Sequence, residues 1–314
     1  MGSDRYFASQ KPLTGWPPSR WDDFRRPQLR RLPESDRSTL ELERFLGDGE
    51  DGLVFKARIR GRMEPLAVKI FHFNHRPPPL YILPDGRPMG ERYWAFEREC
   101  INCSLLEMIN ASMTKAAAAG RQIYIHPRPT TLSHARNNLR AFSDEAVTRP
   151  QPPGFIPVNS NVQLVDCLGW TEFKGSEINA QFKRARVFDR ECKVDGETYP
   201  AIVYQFVADD SVPEVNTILD QLDFFHATGF VTVMFKGDNW AGKGMLVDFS
   251  DIVSYHTGFF GGCRTERLAG PTAEGDRALA HTSAFAEACN ESQDFYSGYS
   301  SSTPAAAPHP FAGR

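Results

Sequence analysis

The chain holds 314 residues, with 36 Lys and Arg against 39 Asp and Glu for a formal net charge of −3. That length can bury the core of one large or two modest domains, and the near-neutral balance carries no signature of a nucleic-acid-coating protein. No apolar run reaches the roughly 18 residues of a membrane span, the opening MGSDRYFASQ lacks the core of a secretory signal, and six scattered cysteines make no disulfide framework. Membrane, collagen-like and secreted disulfide-scaffold classes are excluded, and an intracellular location, cytoplasmic or nuclear, is expected.

Residues 1–38 read as a disordered or loosely docked tail. Pro12, Pro17, Pro18, Pro27 and Pro33 interrupt any helix, among Arg20, Arg25, Arg26, Arg30 and Arg31. The tract is either a solvated lead-in with Trp16 and Trp21 loosely packed or a basic-aromatic docking segment. A larger unit spans 39–207. LELERFLG, LVFKARIRG and EPLAVKIFHF alternate apolar with polar residues and predict an antiparallel meander, with Gly61 turning between the last two. A long helix follows from about Glu91 to Lys115, with Phe96, Cys100, Cys103, Leu106 and Ile109 at helical spacing. Cys100 and Cys103 form one C-x-x-C with no second pair, so core thiols are expected rather than zinc ligands. An insertion over 116–158 carries six prolines around a short helix near NNLRAFSDEAV and is expected outside the common core. Strands resume at VQLVDCLGW, QFKRARVFD and YPAIVYQFV, the last two joined by Asp195 and Gly196. In the final unit, 208–290, LDQLDFFHATG predicts a helix ending at Gly229, followed by short strands at FVTVMF and GMLVDFS. Residues 291–314 read as a disordered low-complexity tail.

Gly47, Gly49, Gly52 and Val54 make a G-x-G-x-x-G-x-V on the turn between two strands. Glycines there let backbone N–H groups approach phosphates without a Cβ in the way. A strand follows, so the dinucleotide-binding version fails its context. Asp48, Glu50 and Asp51 set three carboxylates beside any phosphate. Lys69, within Leu66-Ala67-Val68-Lys69, lies mid-strand between apolar neighbours. Its partner is expected on the long helix, Glu99 with Glu97 as rival; otherwise it extends from an exposed sheet face.

The run from His226 to Asn239 resembles the approach to a protein kinase catalytic loop, and Asp248-Phe249-Ser250 resembles its D-F-G. Glycine loop, lysine, helix glutamate, asparagine and D-F occur in that order over roughly 40–255. The chain thus resembles the protein-kinase-like superfamily in degenerate form. The resemblance implies an α+β fold: an antiparallel β small lobe with one long helix over 39–207, and a reduced helical large lobe over 208–290. LVDFSD, FEREC, NLRAFSDE and DCLGW resemble more narrowly a fungal kinase-like family that includes an inner-kinetochore complex subunit.

By that resemblance ATP and Mg²⁺ are the implied ligands. Lys69 matches the phosphate-pairing lysine, Asn239 and Asp248 the metal ligands, Gly47, Gly49, Gly52, Val54 and Ala67 the roof. Tyr204 falls at the gatekeeper position, with Gln205 and Val207 in the hinge. The departures are as specific. Met234 stands at the catalytic aspartate and cannot accept a proton, leaving Lys236 and Asp238 as weak substitutes. Ser250 replaces a glycine, and no A-P-E follows. Three functions stay open: a nucleotide-binding pseudokinase acting as a regulatory or assembly module, a scaffold of a kinetochore-type complex with no nucleotide, and an atypical phosphotransferase. Protein partners are expected, without nucleic acid or membrane.

Overall fold

The computed structural model describes residues 5–73, 81–82, 88–89, 94–146, 153–158, 162–185, 193–208, 211–232 and 237–254. The tract expected as a tail is structural from residue 5 onward. It forms β1 (Ala8–Pro12), α1 (Trp21–Arg25), β2 (Leu29–Arg31) and α2 (Glu34–Arg37), and buries Phe7, Phe24, Leu29 and Leu32. Its prolines bound these pieces instead of abolishing them. Pro12 ends β1 and Pro33 precedes α2, places where a missing N–H costs little. Several of its arginines are committed as well. Arg5 lies 5.5 to 5.8 Å from the ring centroids of Trp94, Phe96 and Trp170, and Arg30 donates to the carbonyls of Thr14 and Gly15 and to Glu107. Other side chains of the tract stay exposed: Tyr6 at 66%, Trp16 at 60% with Lys115 over its ring, and Arg20, Arg25 and Arg26.

The predicted meander is present as β3 (Leu40–Asp48), β4 (Gly52–Ile59) and β5 (Leu66–Phe71), all antiparallel. Because side chains alternate along a strand, β4 and β5 face two different cores. Leu53, Phe55, Ala57, Val68 and Ile70 pack on one side with Ile178 and Phe182. Val54 pairs in register with Lys69, and both belong to the opposite face. After the short pair β6 (Tyr81–Ile82) and β7 (Pro88–Met89), that face is covered by α3 (Ala95–Ala118). Phe96, Cys100, Cys103, Leu106 and Ile109 of α3 lie in the larger core, as the helical spacing predicts.

The stretch expected as an insertion outside the core contributes to it. Between β8 (Tyr124–Ile125) and β9 (Ile156–Pro157) lies α4 (Leu132–Arg140). Ile125, Leu139 and Phe142 join the larger core, and the Asn138 amide donates to the carbonyls of His126 and Ala227, each at 2.8 Å. The prolines shorten the elements here, but the apolar residues between them still need burial.

β10 (Cys167–Lys174) runs straight into α5 (Gly175–Ala185) and the chain returns as β11 (Thr198–Gln205). The strand expected over QFKRARVFD is therefore wrong for its first half, and 186–192 lie outside the described residues. Ile178 and Phe182, four apart on one helical face, seal the second core, while the Gln181 amide donates to the Leu42 carbonyl. The complete sheet is ordered β1-β2-β10-β11-β5-β4-β3. The N-terminal tract thus adds two strands beyond β10, joined at the single register pair Trp170 and Arg31. Gly169, with φ +108, permits that join: a Cβ there would stand 2.7 Å from the Arg30 carbonyl oxygen.

The last described part comprises α6 (Val215–Ala227), β12 (Phe230–Thr232), β13 (Trp240–Ala241), β14 (Met245–Leu246) and β15 (Ile252–Ser254). β12 pairs with β15 and β13 with β14. The remainder of 208–290, and the expected tail 291–314, lie outside the described residues from 255 onward.

Candidate functional site

The Lys69 ammonium, projecting from the middle of β5, donates to Glu99 Oε1 at 2.6 Å and to Asp248 Oδ1 at 2.9 Å. The three residues come from a strand, a helix and a turn. Glu97, the rival partner, instead accepts from the Tyr6 hydroxyl. Lys69 does not extend from an exposed face: its side chain is 9% exposed, that of Glu99 0% and that of Asp248 26%. Tyr204 donates its phenol to Glu99 Oε2 and sets its ring 5.8 Å from Phe249, so it closes the back of the cluster. Register explains the encounter, since Tyr204 pairs with Ala67, two residues before Lys69 and on the same face.

Two further residues of α3 hold the turn that carries Asp248. Arg98 donates to the Ser250 carbonyl at 3.0 Å, and the Asn102 amide donates to the carbonyls of Phe249 and Ile252 at 2.8 and 2.7 Å. Both are buried. Sequence reasoning missed them, though a signal exists: Arg98, Glu99 and Asn102 are polar residues on the same stretch of α3 as the core positions Phe96, Cys100 and Cys103, and buried polar groups need partners.

The charges divide unevenly over the cluster. Burial alone would lower the Lys69 ammonium, but the two carboxylates reverse this and hold it above its ordinary value. Burial pushes Glu99 up to about 7, with Asp248 adding to the shift and Lys69 opposing it. Asp248 is held below the usual carboxylate range: burial raises it, and Lys69 with the Ser250 donors outweighs that. One ammonium faces two carboxylates, and the partly solvated Asp248 keeps its charge at less cost than the fully buried Glu99.

The glycine-rich turn between β3 and β4 lies against this turn. Ser250 Oγ is 3.1 Å from Asp51 Oδ2 and 2.7 Å from Asp248 Oδ1. Of the three glycines, Gly52 has a packing reason to be glycine, because a Cβ there would stand 2.4 Å from the Ile70 carbonyl oxygen. At Gly47 and Gly49 nothing lies within 4 Å of where a Cβ would go. Val54, Ala67, Met245 and Val247 are half-buried. In the expected hinge, Gln205 donates its N–H to Asp166 and Phe206 to Pro65, whereas the Val207 N–H donates to none of the described residues. Asp238 is exposed on the turn Gly237–Asn239. Met234 and Lys236 lie outside the described residues.

Asp248 and Asn239 are the residues whose oxygens could contribute to a hard-cation site. Asp248 Oδ2 and Asn239 Oδ1 receive no hydrogen bond among the described residues, while the Asn239 amide donates to Asp251. No group of three or more His, Cys, Asp or Glu among the described residues could hold a metal alone. Neither protein-family models nor curated proteins match the chain.

Proposed function

We propose that the chain is a protein-kinase-like module that does not transfer phosphate, a pseudokinase acting in protein assembly or regulation, with ATP and Mg²⁺ as its ligands. One observation carries this: the lysine, helix glutamate and D-F aspartate, separated by 30 and 179 positions, meet in one buried cluster. Support also comes from the half-buried Val54 and Ala67 above the cluster and the available oxygens of Asn239 and Asp248. Against catalysis stand Met234 at the base position and the exposure of Asp238, its neighbour in sequence to the metal-ligand asparagine. Phosphoryl transfer without a positioned base loses about 10²- to 10⁴-fold.

A scaffold of a kinetochore-type complex that binds no nucleotide is the second reading. It is favoured by one feature, the internal satisfaction of the site: Asp251 engages Asn239, and Ser250 engages the loop through Asp51.

The deciding measurement is thermal unfolding with Mg-ATP, run beside a phosphate-transfer assay on the full chain. The pseudokinase reading expects a ligand-dependent shift that Lys69→Ala and Asp248→Ala each weaken, with no transfer above the Lys69→Ala control. Saturable stabilisation of about 2.7 kcal/mol is reached at a ligand concentration of 100 Kd. No shift at millimolar ligand supports the scaffold. Turnover that vanishes with Asp238→Asn makes the protein an enzyme and ends the pseudokinase reading.

A further inference from the structure

The acidic residues of the glycine-rich turn have no role in the function proposed above, and their placement is unusual. A hydroxyl carries one proton, yet the Ser250 hydroxyl lies within hydrogen-bond reach of two carboxylates, Asp248 at 2.7 Å and Asp51 at 3.1 Å. Asp248 Oδ1 also takes the Lys69 ammonium and the Ser250 N–H. The carboxylate of Asp51 therefore lies against the same turn whose Asp248 takes the Lys69 ammonium.

The loop is tied down at its other edge as well. The His72 N–H donates to the Asp51 carbonyl at 3.0 Å, and His72 Nε2 lies 3.1 Å from the Gly49 carbonyl. A ring nitrogen facing a carbonyl must donate, so Nδ1 is the acceptor, and Lys193 supplies its ammonium there at 2.9 Å. Burial and the Lys193 charge lower the His72 pKa, which keeps the ring neutral and this arrangement intact. The Gly49 N–H closes the turn on the Gly52 carbonyl at 3.0 Å.

We propose that Asp51 and Ser250 form a latch that ties the glycine-rich loop to the Asp248 turn and makes Asp51 an affinity determinant of the cleft, weakening binding of a nucleotide's polyphosphate relative to a neutral nucleoside. The inference rests on the nucleotide reading of the cleft for its gating role. A phosphate chain approaching Lys69 meets a carboxylate in contact with the Ser250 hydroxyl, which it shares with Asp248, with Asp48 and Glu50 adjacent in the same loop. At separations of a few ångströms in a partly dry cleft, like charges repel strongly, and the incoming anion must also break the hydroxyl contact. A neutral nucleoside needs to do neither.

Two variants separate the latch from its charge. Ser250→Gly removes the hydroxyl and leaves Asp51 charged, whereas Asp51→Asn removes the charge and keeps a group able to bond Ser250. Amide hydrogen exchange at Gly49 and His72 should quicken at least fivefold in Ser250→Gly, with core amides of β5 and α3 unchanged. Affinity for Mg-ATP, by calorimetry, should rise about tenfold in Asp51→Asn and in Ser250→Gly, while adenosine affinity stays as in the wild type. Unchanged exchange in Ser250→Gly, with Ser250→Ala giving the same result, overturns the latch. An equal gain for adenosine overturns the role of charge. Faster exchange with no ATP binding by any variant removes the nucleotide reading and with it the gate, leaving a purely structural contact.

Discussion

Replacing Lys69 by methionine keeps the apolar stem and deletes the ammonium, which isolates the electrostatic part of the cluster. The change removes bonds of 2.6 Å to Glu99 and 2.9 Å to Asp248 and leaves two carboxylates facing each other across the vacated space. Breaking a buried ion pair by removing one partner costs about 3–5 kcal/mol. Two features of the structure reduce that cost. Glu99, already pushed up to about 7, becomes neutral at little expense once its cation is gone. Asp248 is partly solvated, with its side chain 26% exposed, and retains the N–H and hydroxyl of Ser250. The expected loss at pH 7 is therefore at the low end, about 3 kcal/mol. Urea unfolding followed by tryptophan fluorescence measures it, and a double-mutant cycle with Glu99→Gln should show coupling of about 0.5–3 kcal/mol. A cost below about 1 kcal/mol, typical of exposed pairs, would mean that Lys69 is solvated and the cluster does not hold the turn.

The pH dependence has two opposite arms. Glu99, raised from 4.5 to about 7, binds a proton in the folded state that the unfolded chain lacks, so its contribution to stability grows as pH falls from 7 toward 4.5. Asp248, lowered from 3.8, contributes stability that is present above that value and lost as pH falls through its lower folded pKa; urea midpoints across pH 3 to 8 should show both arms in the wild type and only the acid arm in Glu99→Gln. Asn102→Ala strips two bonds from the carbonyls of Phe249 and Ile252 and should cost about 2–3 kcal/mol, while quickening exchange of the Ser250 amide; stability within 0.5 kcal/mol of wild type would contradict the grip of α3 on that turn. Gly52→Ala should cost about 1–3 kcal/mol because its Cβ would meet backbone at 2.4 Å, whereas Gly49→Ala should change unfolding by about 0.5 kcal/mol or less, and equal costs would show that the crowding at Gly52 relaxes freely.

The expected meander and long helix were legible because their signals are local. Alternation along β3 to β5 and the 3.6-residue spacing of Phe96, Cys100 and Cys103 follow from backbone geometry, and the structure carries both. Lys69 and Glu99 were legible because a charge inside an apolar strand or helix must find a partner. QFKRARVFD misled for the reverse reason: its alternation is also compatible with a helix whose Ile178 and Phe182 share a face, and only the open side of the sheet selects between the two.

The amino-acid order by itself therefore determined the β3 to β5 meander, the long helix α3 and the demand that Lys69 be neutralised by a carboxylate. It did not determine where the opening tract would lie, because Phe7, Ala8 and Leu29 are too few apolar residues to declare a strand pair until the edge of β10 offers them one. Nor did it reveal Arg98 and Asn102, whose partners are backbone carbonyls roughly 150 positions away. Carbonyls carry no sequence identity, so a hydrogen bond to one leaves no mark in residue type at its other end. The contact between Asp51 and Ser250 was likewise decided by tertiary structure alone, since it depends on how far the loop closes over the turn, a distance set by the packing of β4, β5 and α3 together.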